Sequence, residues 1–507
     1  MRHQLSCIAA LALLGACGAN ESGGTPPGEH DAATTTDASE GGPDILHQPD
    51  AGANANGPDF PRLGSLLIAT APNATNMGYD AGYITWASKM QVNVFGANWP
   101  GAGSNLYGGS REAFVKAVHA QSPVGARMFQ YFITDNTLTP WPITNASSWE
   151  LYAHGASGPC VANFFFATDG SICNTNQTLF PSADGKGLHL EGEFSEALVA
   201  TLVNGTSSDA APSLDGTFHD NTILMPTSNG DYNRDGTEDK TDDPNVGSWI
   251  RQGLAEGYTT LQKESSFITL GNLGGWGIAN AVGGGLDISG LNGLVQGGVI
   301  EAVFGDNWSI DTWGTWQATM LHYEFCMQNT IAPKLVIVHA SHVRTDGSGP
   351  TAFDSSGNPT AWGPPGQAMR YSLAFTLMDG GYYATTQNSD YRDTERNWFD
   401  ELAVDPVTAI ALAFPNVDAG LGYLGQPTDL PWPVPLASGV YERHFKNEKS
   451  GKNWVVLLNP KGNGQRTVTL DYAMKKITGK QAPTVNDGST VTSVTLADAD
   501  GLILQVL

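Results

Sequence analysis

Short apolar runs alternate with amphipathic stretches along most of the chain after residue 60. Eight of these runs are typical of strands, because they are apolar, short and bounded by Gly or Pro. They cover residues 64–72, 91–99, 125–136, 213–224, 267–275, 297–306, 333–342 and 381–386. Helical spacing of apolar residues lies between them, at 110–121, 193–205, 246–264, 315–329 and 368–380. The alternation predicts an α/β fold, a TIM (β/α)8 barrel whose parallel strands are covered on both faces.

The pattern changes near residue 431. Short β-branched or alternating runs follow, such as "NWVVLLNP", "RTVTLDY" and "GLILQVL", each separated by turn residues. Such runs predict a small C-terminal antiparallel β-sandwich. We therefore assign residues 61–430 to the barrel and residues 431–507 to the sandwich.

The N-terminus carries the marks of an export signal. The apolar stretch "LSCIAALALLGAC" is too short to span a membrane stably, and it ends in a small-residue site before Cys17. This ending resembles a bacterial lipobox, which implies a signal peptide at 1–17 and a lipid attached to Cys17. An ordinary cleaved signal peptide or a retained anchor is the alternative. Residues 18–60 are rich in Gly, Ala, Thr, Pro and Asp, and they predict a disordered linker.

These features predict an exported protein, lipid-anchored to the bacterial cell envelope, at the outer membrane or the cell surface. An oxidising compartment would allow Cys160 and Cys173 to form a disulfide. Cys326 is then left over, and we expect it to be buried in a helix.

Composition narrows the class of partner. The formal net charge of −25 disfavours nucleic-acid binding, because the phosphate backbone needs a basic surface. The 61 glycines and 13 tryptophans are typical of loop-rich secreted proteins that handle sugars.

Polar residues crowd the fourth predicted strand, "SLDGTFHDN". The active site of a barrel lies at the carboxyl ends of the strands, so Asp220 and Asn221 should lie at the mouth and Asp215 near the strand's entry. Their odd spacing places Asp215 and Asp220 on opposite faces, which leaves Asp215 to hold neighbouring backbone or to cap a layer. His219 lies beside Asp220 and is a candidate substrate contact.

The sixth predicted strand, "GGVIEAVFGDNW", supplies Glu301, with Asp306 as a second candidate further along. Two facing carboxylates suit glycoside hydrolysis, in which one attacks the anomeric carbon and the other acts as acid and then base. We expect Asp220 to be the nucleophile and Glu301 the general acid/base. Burial of Glu301 among Ile300 and Phe304 would supply the raised pKa that the acid needs.

The stretches "LDGTFHDN", "GGVIEAVFGDN" and "NWVVLLNPKGNGQRTVTL", with the acidic loop described next, together resemble bacterial glycoside hydrolases of TIM-barrel type. The family we can name is hypothetical glycosyl hydrolase family 15. The "HDN" is similar to the fourth-strand nucleophile of retaining α-glycosidases such as α-galactosidases and dextranases, whose acid/base lies on strand 6. Over residues 60–507 the resemblance implies a barrel, a β-sandwich and cleavage of an unspecified polysaccharide or oligosaccharide. It also guides, in part, the count of eight strands given above.

The loop "DYNRDGTEDKTDD" (231–243) has the spacing of an EF-hand-type calcium site. Oxygen ligands recur at alternate positions, and Gly236 permits the sharp turn. The last ligand position holds Asp rather than Glu, as in dockerin-like loops. The expected Ca²⁺ ligands are Asp231, Asn233, Asp235, Thr237 and Asp242, with Asp239 at the position often bridged by water. The ion would stiffen the rim of the site; the alternative is an acidic, solvated loop.

Tryptophans follow several of the predicted strands, where they could stack on sugar rings; any one of them alone is expected to be a packing residue, and at least two of the set to line a cleft. They are Trp99, Trp141, Trp276, Trp308, Trp313 and Trp316. At the end of the seventh strand, His339 and His342 lie on opposite faces, which disfavours a shared metal and favours a substrate contact or a core role. The expected substrate-binding residues are His219, Asn221, Trp276, Trp308 and His342.

Two other functions remain open at this stage. A surface lipoprotein that binds glycans without cleaving them would keep the barrel and the aromatics but not two converging carboxylates. A structural, calcium-dependent envelope protein would need neither the aromatics of a cleft nor the two converging carboxylates. We find no Gly-x-Ser-x-Gly, His-Glu-x-x-His or Walker-type motif.

Overall fold

The computed structural model describes a defined part of the chain. The described residues are 57–67, 81–96, 110–133, 136–137, 164–166, 173–175, 190–206, 210–220, 240, 243–274, 293–307, 309–313, 315–387 and 396–507. The predicted signal peptide with Cys17, most of the predicted linker, Cys160 and the predicted calcium ligands lie outside them. Within the described ranges, no helix is long and apolar enough to cross a membrane.

Eight parallel strands form a closed barrel, which confirms the predicted fold. In chain order the barrel strands are β1 Gly64–Leu67, β2 Val92–Phe95, β3 Arg127–Ile133, β4 Gly216–Asp220, β5 Ile268–Asn272, β6 Gly297–Phe304, β7 Leu335–Ala340 and β8 Tyr382–Thr385. Each strand pairs with the next along the chain. A parallel bridge between Leu63 and Tyr383 brings β8 back to β1 and closes the ring.

Helices follow the strands on the outside of the barrel. They are α1 Ala81–Ala87, α2 Arg111–Gln121, α3 Leu190–Leu202, α4 Pro244–Glu264, α5 Ile310–Trp313, α6 Trp316–Asn329 and α7 Gln367–Thr376. Side chains cap several of them: Ser110 accepts from the Ala113 amide at α2, and Thr315 accepts from the Ala318 amide at α6. Cys326 is buried in α6 as a free thiol, as predicted.

Alternation along the strands divides the core into an inner and an outer layer. The inner cluster fills the barrel and consists of Leu66, Val92, Val94, Phe129, Tyr131, Phe218, Leu270, Val299, Leu335, Ile337, Tyr382 and Ala384. The neighbouring residues of the same strands, such as Ile300 and Val338, pack in the larger cluster that includes the helices. A side chain's place in this alternation decides whether it can reach the barrel interior.

Short strands lie in the connections between these elements. Asn136–Thr137, Phe164–Phe166 and Cys173–Thr175 form a three-stranded sheet after β3. A hairpin of Pro350–Phe353 and Pro359–Trp362 lies between β7 and α7.

The C-terminal region is one six-stranded antiparallel sheet. Its strands are β9 Gln426–Pro427, β10 Tyr441–Asn447, β11 Lys452–Asn459, β12 Arg466–Lys476, β13 Thr490–Leu496 and β14 Asp500–Val506. Side chains of β11 and β14 share one apolar cluster with side chains of β12 and β13, so the sheet folds over its own core in the manner of the predicted sandwich. The other face of β11 packs on the barrel, and Arg370 of α7 pairs with Asp500 of β14 at 3.0 Å.

Asp379, between α7 and β8, is a buried carboxyl group that lowers the stability of the fold at neutral pH. Its side chain accepts the Gly380 amide at 2.6 Å, and burial raises its pKa to about 6 against the opposing pull of Arg443. Because the folded-state pKa lies above the unfolded one, stability falls as the pH rises from about 4 to 6, by about 3 kcal/mol in total.

We therefore expect Asp379→Asn to be more stable than the wild type at pH 8 and to lose that advantage at pH 4.5. Urea unfolding at both pH values measures the difference. An equal difference at the two pH values would contradict the assignment.

Candidate active site

Asp220 is the last residue of β4 and lies at the carboxyl end of the barrel. Phe218, two residues earlier, belongs to the inner cluster, so alternation turns Asp220 inward as well. Only 4% of its surface is exposed. One carboxylate oxygen accepts from the Tyr131 hydroxyl, and the other accepts from Asn272 Nδ2 at 2.8 Å. Two donors from neighbouring strands thus fix the orientation of this carboxylate.

Glu301 of β6 converges on the same amide. Its Oε2 accepts from Asn272 Nδ2 at 2.7 Å. The Asn272 amide orientation is fixed in turn, because its Oδ1 accepts the Gly274 amide at 2.9 Å. One nitrogen on β5 therefore bridges carboxylates on β4 and β6, so the two predicted catalytic residues share one hydrogen-bond donor. Glu301 is the more exposed of the two.

Tyr131 and Asn272 were not predicted from the sequence. Asn272 is the last residue of β5, as Asp220 is of β4, and a polar residue at that position was the available signal. Tyr131 lies among apolar residues of β3, and its hydroxyl reaches Asp220 only because β3 and β4 pair with Ile133 opposite Asp220.

The apolar surroundings expected for Glu301 are not those found. Ile300 and Phe304 both pack in the outer core, because the strand's alternation turns them away from the barrel interior. Glu301 instead lies beside the backbone of Gly274 and the Asn272 amide.

Asp306 and His342 form a second polar cluster at the ends of β6 and β7. The Asp306 carboxylate accepts from the Ser341 hydroxyl and pairs with His342 Nε2 at 3.1 Å. Ser309 accepts the Asp306 amide at 3.0 Å. Asp306 is buried with both oxygens engaged, whereas Glu301 is the carboxylate that joins Asp220 through Asn272. A substrate contact by His342 stays a prediction.

His219 lies on the outside of the barrel, where we had expected a substrate contact. Its ring packs against Phe132 and edge-on against Tyr258 of α4, and only 1% of the residue is exposed. The alternation that turns Asp220 inward turns its neighbour outward. Asp215, at the strand's entry, accepts the Met128 amide at 2.8 Å and so holds backbone, as predicted.

The aromatic side chains give a mixed outcome. Trp316 packs against Trp432 and Tyr441 at the contact with the C-terminal sheet, which is the packing role expected of any single tryptophan of this set. Asn221, Trp99, Trp141, Trp276 and Trp308 lie outside the described residues, as does the Trp313 side chain. Their predicted roles stay predictions.

The described residues contain no group of three or more His, Cys, Asp or Glu side chains suited to holding a metal ion. His339 and His342 form hydrogen bonds with protein groups: His339 with Ala302 and Thr386, and His342 with Asp306.

Comparison with known proteins gives only distant structural similarities. No family model and no curated protein sequence matches the chain, so the resemblance to hypothetical glycosyl hydrolase family 15 stays a prediction. Among solved structures, Eubacterium rectale Amy13B is similar over 88% of this chain and 95% of its own, with 10% identity and a TM-score of 0.45. The α-amylase from Geobacillus thermoleovorans covers 88% of this chain and 98% of its own, with 9% identity and a TM-score of 0.41. The glycoside hydrolase domain of PelA from Pseudomonas aeruginosa covers 64% of this chain and 95% of its own, with 12% identity and a TM-score of 0.32. The barrel itself is established by the strand pairing described above.

Proposed function

We propose that this chain is a glycoside hydrolase that cleaves O-glycosidic bonds of a polysaccharide or oligosaccharide with two carboxylates. The observation that carries the proposal is the convergence of Asp220 and Glu301 on Asn272 Nδ2, at 2.8 and 2.7 Å. The two bonded oxygens are therefore no farther apart than the sum of these two lengths. Inverting enzymes separate their carboxyl groups by about 6.5–9.5 Å and retaining ones by about 5–5.5 Å, so the geometry favours retention.

The surroundings of the two groups support different roles. Asp220 is buried and held by Tyr131 and Asn272, which suits a nucleophile that must attack from one direction. Glu301 is more exposed, which suits a group that exchanges a proton with water. Asp220 attacks the anomeric carbon while the glycosidic C–O bond breaks and Glu301 gives its proton to the leaving oxygen. Glu301 then takes a proton from water, which attacks the same carbon and releases Asp220.

The test is a screen of the purified chain, with calcium present, against α- and β-linked polysaccharides. We expect release of reducing ends from at least one, with retained anomeric configuration in the first product by NMR. Asp220→Asn should abolish the release, whereas Asp471→Asn, the same change at an exposed position of β12, should not. Binding without release on every glycan would replace the proposal by a non-catalytic glycan-binding protein, and inverted product would overturn the retaining mechanism.

Asn272 should matter for turnover. Asn272→Asp replaces the shared donor by a third acidic group between two carboxylates, so we expect kcat to fall by about 10²–10³-fold, the usual cost of one oriented donor in an active site. Steady-state kinetics on the glycan found above measures the loss. Asn245→Asp, on the exposed first turn of α4, is the matched control. A kcat within twofold of the wild type would contradict the bridging role.

We further propose, from the sequence, that a lipid attached to Cys17 holds the enzyme outside the cytoplasm. We also propose that the 231–243 loop binds Ca²⁺ through alternating oxygen ligands. Incorporation of labelled fatty acid that persists in Cys17→Ala would contradict the anchor. Calcium binding by calorimetry that is unchanged in Asp235→Ala would contradict the loop assignment.

A further inference from the structure

A bulge in β6 carries Glu301. In the pairing of β6 with β7, Ile300 lies opposite Val338 and Phe304 lies opposite Ala340. Three residues of β6, 301–303, thus face the single residue His339 of β7. Such a bulge breaks the ladder and redirects the side chains it carries.

The backbone at the centre of the bulge has an unfavourable conformation. Ala302 has φ of 42°, in the left-handed region that residues other than glycine rarely adopt. Ala302 is also buried, with 1% exposed, so its peptide groups have no access to water. A buried, unpaired amide costs about 1–3 kcal/mol, so this conformation needs partners for both its N–H and its C=O group.

Two side chains supply those partners. The Ala302 amide donates to His339 Nδ1 at 3.1 Å, and the Ala302 carbonyl accepts from Ser309 Oγ at 2.6 Å. His339 comes from β7 and Ser309 from the segment after β6. The bulge is therefore held by side chains from two sides, in place of the lost ladder bonds.

The protonation state of His339 follows from these bonds. Nδ1 can accept the Ala302 amide only when it carries no proton, which leaves the proton of a neutral ring on Nε2. Nε2 lies 3.0 Å from Thr386 Oγ1 and donates to it. Burial lowers the pKa of His339 to about 3, so the ring is neutral at pH 7.

We propose that His339 is a positioning residue, whose Nδ1 holds the β6 bulge in the one conformation that aims Glu301 at Asn272 and Asp220. This inference rests on the proposed function for its effect on rate, but the bond itself exists whether or not the chain cleaves glycans. His339 has no exposed surface, so it acts through the bulge and not on the substrate.

A pair of variants isolates the Nδ1 acceptor. In His339→Asn, the side-chain oxygen takes nearly the place of Nδ1 and can still accept a hydrogen bond from the Ala302 amide. His339→Leu removes the acceptor and fills the same buried site with an apolar side chain. We expect His339→Leu to lower kcat by roughly 10²-fold with little change in KM, because a displacement of about 1 Å of a catalytic group costs that much. His339→Asn should retain kcat within about tenfold. His444→Asn, the same change on the outer face of the C-terminal sheet, is the control.

Hydrogen exchange provides a readout that does not depend on activity. We expect the Ala302 amide to exchange faster in His339→Leu and to stay protected in His339→Asn, measured on peptides that cover residues 297–306. Equal protection in both variants, or equal kcat in both, would overturn the inference. A wild type that cleaves no glycan would overturn the proposed function and the effect on rate, while the exchange result still decides whether His339 holds the bulge.

Ser309 gives a second route if His339→Leu fails to fold. Ser309→Ala removes the donor to the Ala302 carbonyl, and Ser309→Thr restores a hydroxyl at the same place. Loss of kcat in the alanine variant, with recovery in the threonine variant, supports the held bulge. Equal kcat in the two variants overturns it.

Discussion

Asp220→Gly is expected to lose at least about 10⁴-fold in kcat and to recover part of it when azide is added. Removal of a covalent nucleophile eliminates the two-step route, and such losses reach about 10⁶-fold in other enzymes. In this protein the truncation also removes the carboxylate that accepts from the Tyr131 hydroxyl and from Asn272 Nδ2. A small anion can bind in the space that is left and accept hydrogen bonds from these two donors.

The stereochemistry of the rescued product distinguishes the two carboxylates. Azide in the place of Asp220 attacks the anomeric carbon from the nucleophile's side in a single displacement, so the glycosyl azide has inverted configuration. In Glu301→Gly the covalent intermediate still forms on Asp220, and azide from the opposite side gives retained configuration. NMR of the two products, on a substrate with a good leaving group, measures this difference.

A retained product from Asp220→Gly and an inverted product from Glu301→Gly would reverse the assignment of nucleophile and acid/base. A kcat of Asp220→Gly close to that of the wild type would place the nucleophile elsewhere; Asp306, the acidic residue that follows β6, would then need testing. The Asp471→Asn variant controls for loss of an acidic group as such.

The sequence predicted the barrel well because each barrel strand lies within a short apolar run. All eight predicted runs contain an observed barrel strand, and the odd spacing of Asp215 and Asp220 correctly placed them on opposite faces. Short apolar runs and flanking Gly or Pro are local properties, so they can be recognised without tertiary information, and the resemblance to TIM-barrel glycoside hydrolases also guided the count of eight.

The details of the site were harder to predict, for two physical reasons. His219 follows the same alternation as Asp220, and applying it strictly would have placed the ring outside the barrel, where it packs against Tyr258. The bulge around Ala302 is different, because its stability comes from His339 and Ser309, which lie on other segments. The contact between Asn272 and both carboxylates likewise depends on the register of three strands, which no local pattern encodes.

The buried histidines lead to a second large effect, a steep loss of stability in acid. Burial lowers the pKa of His219 to about 3, of His322 to about 4 and of His339 to about 3. Each lies below the unfolded value near 6.5, so the unfolded chain binds more protons than the folded one. Their stabilising contribution is therefore complete above pH 6.5 and is lost as the pH falls through the range below it.

The size of the effect follows from linkage. Three such groups remove about 4 kcal/mol per pH unit below pH 6, and Asp379, whose pKa is raised to about 6, returns about 1.4 kcal/mol per unit over the same range. Burial also raises the pKa values of Asp311, Glu401 and Asp500, which act in the same direction as Asp379 and reduce the net slope. A net loss of up to about 3 kcal/mol per unit exhausts a stability near the lower end of the typical 5–15 kcal/mol within about two to three pH units. We expect cooperative acid unfolding with a midpoint between about pH 3 and 5.

His219→Phe tests the origin of this transition, because it keeps an aromatic ring against Phe132 and Tyr258 and removes one titrating group. Urea unfolding at several pH values between 4 and 6.5 should show a slope of stability against pH that is lower by about 1.4 kcal/mol per unit. His444 is the matched contrast: its pKa is raised to about 9 between Glu442 and Asp429, so it is protonated in both the folded and the unfolded chain over the lower part of this range. His444→Gln should therefore lower stability by a nearly constant amount between pH 4 and 5.5 and leave the slope there unchanged. An unchanged slope in His219→Phe would show that buried histidines do not drive the acid transition, and the titration of carboxylates would then have to account for it.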